Sequence, residues 1–281
     1  MDPYGRAPRR GGFGKGRLII AAIVALISVV TYYSQREYNP ITDEVQHVDL
    51  TPQQEIALGL QAAPAMAEQH GGLHPDQQAQ ALVDRICAEL IRGTNVKESP
   101  YQFDCHVLAD EQTVNAFALP GGQVFITAAL MGRLETEGQL AGVLGHEIGH
   151  VVARHSAEHI AKARLTEGLT GAAVLASYDP NNPSSRGSAA VAMMIGQMVN
   201  MKFGREDELE SDRLGVRFLA EAGYDPRGMV EVMRILEQAA GGGGRQPEFF
   251  STHPNPANRI QQIEAAIQQA FPQGVPEGLK G

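Results

Sequence analysis

The pentapeptide His146-Glu147-Ile148-Gly149-His150 constrains this chain more than any other stretch. It sets two histidines four residues apart, with a glutamate after the first. On an α-helix, positions i and i+4 share a face about one turn apart. Two imidazoles so placed can hold one metal ion, and the adjacent carboxylate can reach a water on that ion. The motif therefore demands a helix, a third ligand from elsewhere in the chain, and a cleft in front of the pair.

The flanking sequence fits such a helix from Glu135 to Arg164. At about 100° per residue, Leu140, Leu144, Ile148, Val151 and Val152 gather on one side, the predicted core face. His146 and His150 lie opposite, facing a cleft. Gly142, Gly145, Gly149 and Ala153 make a third stripe. Glycine inside a helix costs about 1 kcal/mol against alanine. Close approach of another backbone would compensate, so a second helix is predicted to pack there. His155 and His159 repeat the four-residue spacing without the glutamate. They read as surface groups or as groups behind the first pair.

The N-terminus adds a second constraint. Arg6, Arg9, Arg10, Lys15 and Arg17 precede an uncharged, mostly apolar run from Leu18 to Tyr33. A helix of that length approaches the thickness of a bilayer core. Tyr32 and Tyr33 sit where interfacial aromatics would, and the preceding basic cluster keeps the N-terminus in the cytoplasm. The expectation is a basic tail at 1–17, a transmembrane anchor at 18–33 and a polar linker at 34–50. The catalytic part then lies outside a bacterial inner membrane, attached through that helix. A cleaved signal peptide and a secreted protein are the alternative. The net charge is -9, and the body carries no basic cluster, which excludes nucleic acid as a partner. Cys87 and Cys105 have no metal-type spacing. They can pair in an oxidising compartment or stand as two unrelated buried thiols.

Thr51 as N-cap and Pro52 at the first position open a helix that runs to about Gln69. His70 and His74, with glycines between them, read as solvated loop histidines. A second helix is expected from Asp76 to Arg92, with Leu82, Ile86 and Leu90 on one face. Tyr101 to Leu108 alternates as a strand. Val114–Leu119 and Gln123–Thr127, joined by Pro120-Gly121-Gly122, read as a hairpin. Asn115, Ala116 and Phe117 are the candidate substrate-binding residues, on a strand able to pair with an extended polypeptide.

Beyond the motif helix, apolar stretches at Leu165–Ala176 and Ala189–Met201 flank a loop at Tyr178–Ser185. The methionines of the second stretch suit either a core cover or an adaptable wall near substrate. Another helix opens at Arg205 and ends at Ala222-Gly223. Its acids Glu206, Asp207, Glu208, Glu210 and Asp212 all compete as the third ligand. Glu208 and Asp212 share a face, but on spacing alone a solvated charge run serves equally well. Asp225-Pro226 starts a helix to about Ala240, Gly241–Gly244 form a joint, and Asn255-Pro256 caps a last helix through Gln269. Arg259 is expected to anchor that end.

Four motifs, in order, resemble those of one family. They are Asn115-Ala116-Phe117-Ala118-Leu119-Pro120-Gly121-Gly122, then His146-Glu147-Ile148-Gly149-His150 with Arg154-His155, then Glu208-Leu209-Glu210-Ser211-Asp212, then Thr252-His253-Pro254. They resemble the zinc metallopeptidases (gluzincins) of the HtpX, BepA and CaaX-prenyl-protease type. Ser211 stands where that family has alanine. The resemblance implies a mainly helical α+β, zincin-like domain at 51–272 with a small sheet, followed by a tail at 273–281. It implies one Zn2+ on His146, His150 and Glu208, with Glu147 as general base. It makes Asp212 a catalytic support behind the ligands. His253 would reach the cleft, either to bond the oxyanion or to cover the zinc at rest. The activity implied is endopeptidase cleavage of misfolded or unassembled envelope proteins, bound as extended polypeptides. A zinc-containing periplasmic assembly factor with little proteolysis is the alternative. With at most one span, the chain is similar to the single-anchor or periplasmic members.

Overall fold

The structure, a computed structural model, describes residues 13–177, 202–241, 247–255 and 257–281. The first part of the basic tail, the Tyr178–Ser185 loop, the methionine-rich stretch and the joint beyond Gly241 lie outside the described residues. Helix α1 (Phe13–Ser34) leads into an antiparallel hairpin of β1 (Arg36–Asn39) and β2 (Glu44–His47). Then come α2 (Pro52–Gln69), α3 (Gln77–Gly93), a 3-10 turn (Asn95–Glu98), β3 (Asp104–Leu108), β4 (Ala116–Ala118), β5 (Gln123–Thr127) and a short α4 (Ala128–Met131). The helices α5 (Glu137–Val152), α6 (His155–Ser177), α7 (Arg205–Ala222), α8 (Arg227–Gly241), α9 (Phe249–Thr252) and α10 (Arg259–Ala270) follow. The architecture is the expected helix-rich α+β, zincin-like arrangement.

Local chemistry explains several boundaries. Thr51 and Gln54 form a reciprocal capping box at the start of α2, with Thr51 N–H to Gln54 Oε1 at 2.8 Å. The second sheet has the order β3-β5-β4, with β3 parallel and β4 antiparallel to β5. The Pro-Gly-Gly connection between β4 and β5 needs both glycines. Gly121 and Gly122 have φ of +83° and +114°, and a Cβ on Gly121 would stand 2.3 Å from Ile56 Cα.

Helix α5 runs through the middle of the core. Thr136 caps it, and every residue from Gly138 to Val152 is buried. Leu140, Leu144 and Ile148 pack in one cluster with Ile86, Leu90, Val107, Val124 and Ile126. The glycine stripe faces α7 and α8. A Cβ on Gly149 would meet Ser211 O at 3.1 Å, and one on Gly145 would meet Leu219 Cδ1 at 2.9 Å. A Cβ on Gly142 would meet Met229 Cγ at 3.1 Å. The second helix therefore packs where the stripe required it. A disulfide joins Cys87 on α3 to Cys105 on β3.

The structure departs from expectation in four places. The motif helix does not run on to Arg164. It stops at Val152, and Arg154 takes φ +55°, from which α6 starts afresh at His155. A left-handed non-glycine residue costs about 1–2 kcal/mol, and tertiary contacts hold this one. Arg154 donates to Glu55 Oε1 at 2.9 Å, to Glu37 Oε2 at 2.7 Å and to the Leu50 carbonyl at 2.6 Å. The segment read as a polar linker holds the β1–β2 hairpin. His70 is buried, its Nδ1 3.1 Å from Asp110 Oδ2, and is not a solvated loop group.

The fourth departure concerns the membrane. Among the described residues no helix is long and apolar enough to cross one, which goes against the single-pass inner-membrane location. The apolar run forms most of α1, but one side of it is occupied by protein. Ala21 is buried, Gly168 of α6 closes on Ser28, and Tyr32 stacks on His47 with ring centroids 4.8 Å apart.

Candidate metal centre

Three elements deliver the site. Helix α5 brings His146, Glu147 and His150, α7 brings Glu208 and Asp212, and the end of α9 brings His253. The glycine seam sets the spacing of the first two, since Gly149 and Gly215 let the backbones of α5 and α7 nearly touch. A Cβ on Gly215 would lie 3.3 Å from His146 N. All six of these side chains are buried.

Ligating atoms of His146, His150, Glu208 and His253 lie within 4.8 Å of one another. His146 Nε2 and His150 Nε2 are 3.1 Å apart. Glu208 reaches them at 3.5 and 3.4 Å. His253 Nδ1 stands 3.1 Å from Glu208 Oε1 and 3.4 Å from His146 Nε2. Donors bound at about 2.0–2.2 Å to one tetrahedral zinc ion stand about 3.3–3.6 Å apart. The nitrogen-and-carboxylate donor set and its spacing both fit zinc.

The surroundings aim these donors. Asp212 Oδ1 lies 2.9 Å from His146 Nδ1, and His155 Nδ1 lies 2.9 Å from His150 Nδ1. Each histidine thus has its Nδ1 occupied and its Nε2 turned inward, the usual way a partner fixes a ligand imidazole. His155 passes the contact on to Glu210 Oε2 at 3.2 Å. Arg259 is fully buried and forks onto Asp212 at 2.8 and 2.9 Å, with Nη1 2.9 Å from Glu208 Oε2. Phe203 stacks on His150 with centroids 4.0 Å apart, and Phe249 on His253 at 4.4 Å.

The electrostatics follow from this packing. Burial pushes the Glu147 carboxyl up, and neither of its oxygens has a hydrogen-bond partner. Burial drives His150 well below the usual imidazole range. Burial also opposes the charge on His146, but Asp212 and Glu208 outweigh it and raise its pKa to about 9. Glu208 is held well below the carboxylate range despite burial, by His253, His146 and His150. Asp212 is likewise lowered against burial, chiefly by Arg259.

The candidate substrate residues sit beside this centre. β4 is an edge of its sheet, and Phe117 stacks on Phe125 of β5 at 4.9 Å. Asn115 Nδ2 reaches Glu248 Oε1 at 3.4 Å, while its Oδ1 is buried without a partner. Asn115, Phe117 and Ala118 line a cavity of about 70 Å³ together with Met66, His70 and His253. His159, the other half of the second histidine pair, bonds Asp207 at 2.6 Å and stays off the ligand cluster. Sequence reasoning missed His70 as a cleft residue and Phe203 as the platform for His150. It foresaw Arg259 only as an anchor; a lone arginine near a helix start carries no signal for a buried carboxylate pair.

Comparison with known proteins bears on the chemistry. The pattern of Peptidase family M48 matches residues 77–267. The chain is 30% identical over 243 residues to Mitochondrial metalloendopeptidase OMA1 of Schizosaccharomyces pombe, covering 86% of this chain and 69% of that protein. It is also 30% identical over 193 residues to Beta-barrel assembly-enhancing protease of Escherichia coli, covering 68% of this chain and 39% of that protein. Mitochondrial metalloendopeptidase OMA1 of Arabidopsis thaliana is 34% identical over 160 residues, 57% of this chain and 31% of that protein. The chain thus spans well under half of the last two. A mitochondrial relative beside a bacterial one gives no support to a single-pass bacterial inner-membrane location. Nor do names that all describe proteases support an assembly factor with little proteolysis. The chain belongs to peptidase family M48 and is a zinc metallopeptidase.

Proposed function

We propose that the chain is an endopeptidase that cuts extended segments of misfolded or unassembled polypeptides, with His146, His150 and Glu208 as zinc ligands and Glu147 as general base. The observation that carries this reading is the convergence of three ligand side chains beside a buried, unpartnered Glu147. Bound there, zinc supplies Lewis acidity and lowers the pKa of a water to about 7. Glu147 accepts a proton from the attacking water and returns it to the leaving amine. Burial raises its affinity for the proton, while His253, His146 and Arg259 favour the carboxylate that must accept it. Asp212 and His155 keep the two imidazoles turned inward, and Arg259 balances Asp212 and Glu208. The edge of β4 offers backbone groups to an extended peptide, which would add a strand beside Asn115, Ala116 and Phe117. The names of the relatives, a mitochondrial metalloendopeptidase and a β-barrel assembly-enhancing protease, are compatible with work on proteins of an organelle or envelope.

His253 favours the covering role in this state. Its Nδ1 fills the fourth corner of the ligand cluster, and its Nε2 stands 3.6 Å from Glu147 Oε1. In that position His253 stands where a peptide carbonyl would have to approach, and a covering His253 must move aside for substrate. The test compares the wild type with Glu147→Gln on an unfolded polypeptide, with zinc content measured on both. General-base work contributes about 10²–10⁴-fold, so the variant should keep its zinc and lose that much rate. A zinc-loaded variant that cleaves at the wild-type rate would remove Glu147 from the mechanism.

A further inference from the structure

We infer that the N-terminal hairpin positions the metal centre: Asn39 and Gln46 fix the turn between α5 and α6, and with it the rings of His150 and His155. The inference rests on the reading of His150 as a zinc ligand. These two residues precede the family match at 77–267 and touch none of the ligands.

The last carbonyls of a helix have no partner within it and must find one elsewhere. At the end of α5 they find the hairpin. Asn39 Nδ2 donates to the Val152 carbonyl at 2.7 Å, and Gln46 Nε2 donates to the Ala153 carbonyl. Both amides are buried and oriented by each other. Asn39 Nδ2 also donates to Gln46 Oε1 at 2.9 Å, and Asn39 Oδ1 accepts from Ile41 N at 3.0 Å. One residue further on, Arg154 holds its left-handed turn through Glu37 of β1, Glu55 of α2 and the Leu50 carbonyl.

The turn decides where His155 goes. Had α5 continued, His155 would lie about 140° around the axis from His150, out of reach. Because the chain turns at Arg154, His155 becomes the first residue of α6 and comes back over the site. Its Nδ1 then lies 2.9 Å from His150 Nδ1, which leaves His150 Nε2 facing Glu208. The path from hairpin to ligand thus runs from two side-chain amides to two carbonyls, then through the turn and His155 to His150.

Asn39→Asp keeps the shape of the side chain and replaces its donor by an acceptor facing Val152 O. Gln46→Ala removes its bond to the Ala153 carbonyl and the one it accepts from Asn39, and leaves the Asn39 bond to the Val152 carbonyl in place, so it is the second variant should Asn39→Asp fail to fold. Val45→Ala, at an exposed position of the same hairpin, is the control. Two quantities are read on the full chain: the rate of zinc loss to a chelator, and the visible spectrum of the cobalt-substituted protein. Substitutions behind a ligand typically cost 10–100-fold in metal affinity. Zinc loss is therefore expected to accelerate about 10-fold or more, with a shifted cobalt spectrum, in Asn39→Asp or Gln46→Ala and not in Val45→Ala. Zinc loss and a cobalt spectrum identical to wild type in the folded variants, even with a lower melting temperature, would reduce the hairpin to a structural brace and overturn the inference. Retention of zinc by His150→Ala at wild-type affinity would instead overturn the ligand assignment, a separate failure.

Discussion

Two buried side chains at the centre have opposite duties toward protons. Glu147 resists charge through burial, while His146 holds its proton up to about 9, because Asp212 and Glu208 outweigh its burial. A raised histidine pKa stabilises the zinc-free fold fully below the unfolded value of 6.5, and that stability is lost as pH rises through about 9. Zinc competes for the same imidazole and releases its proton. The zinc-free protein should therefore lose stability from pH 6.5 to 9, and the zinc-loaded protein should stay level, as urea midpoints would show. A zinc-free midpoint that rises across that window would contradict the charge balance at His146. His253 makes a second prediction at this scale. If it covers the centre at rest, His253→Ala should speed cleavage of an unfolded peptide at saturating zinc. An oxyanion donor would instead leave a deficit of about 10²–10³-fold in kcat on removal.

At the scale of elements, the seam between α5 and α7 sets the distance between the histidines and Glu208. Gly149 faces Ser211 backbone at 3.1–3.2 Å from where a Cβ would be, so added methyls must push the helices apart. Gly149→Val should cost about 1–3 kcal/mol and weaken zinc retention as well, measured by denaturation and chelator competition. Loss of stability with unchanged zinc retention would show that the seam is packing alone. This seam was legible in the sequence, because a helix tolerates three glycines on one stripe only where something must come close. The break after the motif helix was not. Arginine is a good helix former, and the left-handed turn at Arg154 comes from Glu37, Glu55 and Leu50, about a hundred residues away in sequence. The hairpin was hidden for the same reason. Its residues alternate poorly, and only the end of α5 explains the burial of Asn39 and Gln46.

Across the whole molecule, fold class and peptidase family were readable from four short motifs in order, while the acid that meets the histidine pair was not readable from spacing alone. Five acids crowd the start of α7, and only the approach of α7 to α5 selects Glu208 and Asp212 and turns Glu210 toward His155. The apolar N-terminal run is divided: one side of α1 lies against α6 and the hairpin, while Leu18, Ile19, Ile23, Leu26, Ile27 and Val30 are exposed. The Cys87–Cys105 bridge ties α3 to β3 across a separation of 18 residues, and neither cysteine belongs to the ligand cluster. Closing a loop of that size stabilises by about 3 kcal/mol, so Cys87→Ala with Cys105→Ala should lower the melting temperature and leave zinc content intact. Loss of zinc in a folded double variant would tie the bridge to the centre. The ligand set is tested most directly by the position of the metal itself, from anomalous diffraction at the zinc edge of the zinc-loaded chain. One zinc peak is expected at about 2.0–2.2 Å from His146 Nε2, His150 Nε2 and a Glu208 oxygen. A zinc peak that leaves out Glu208, or lies away from the His146–His150 pair, would contradict it.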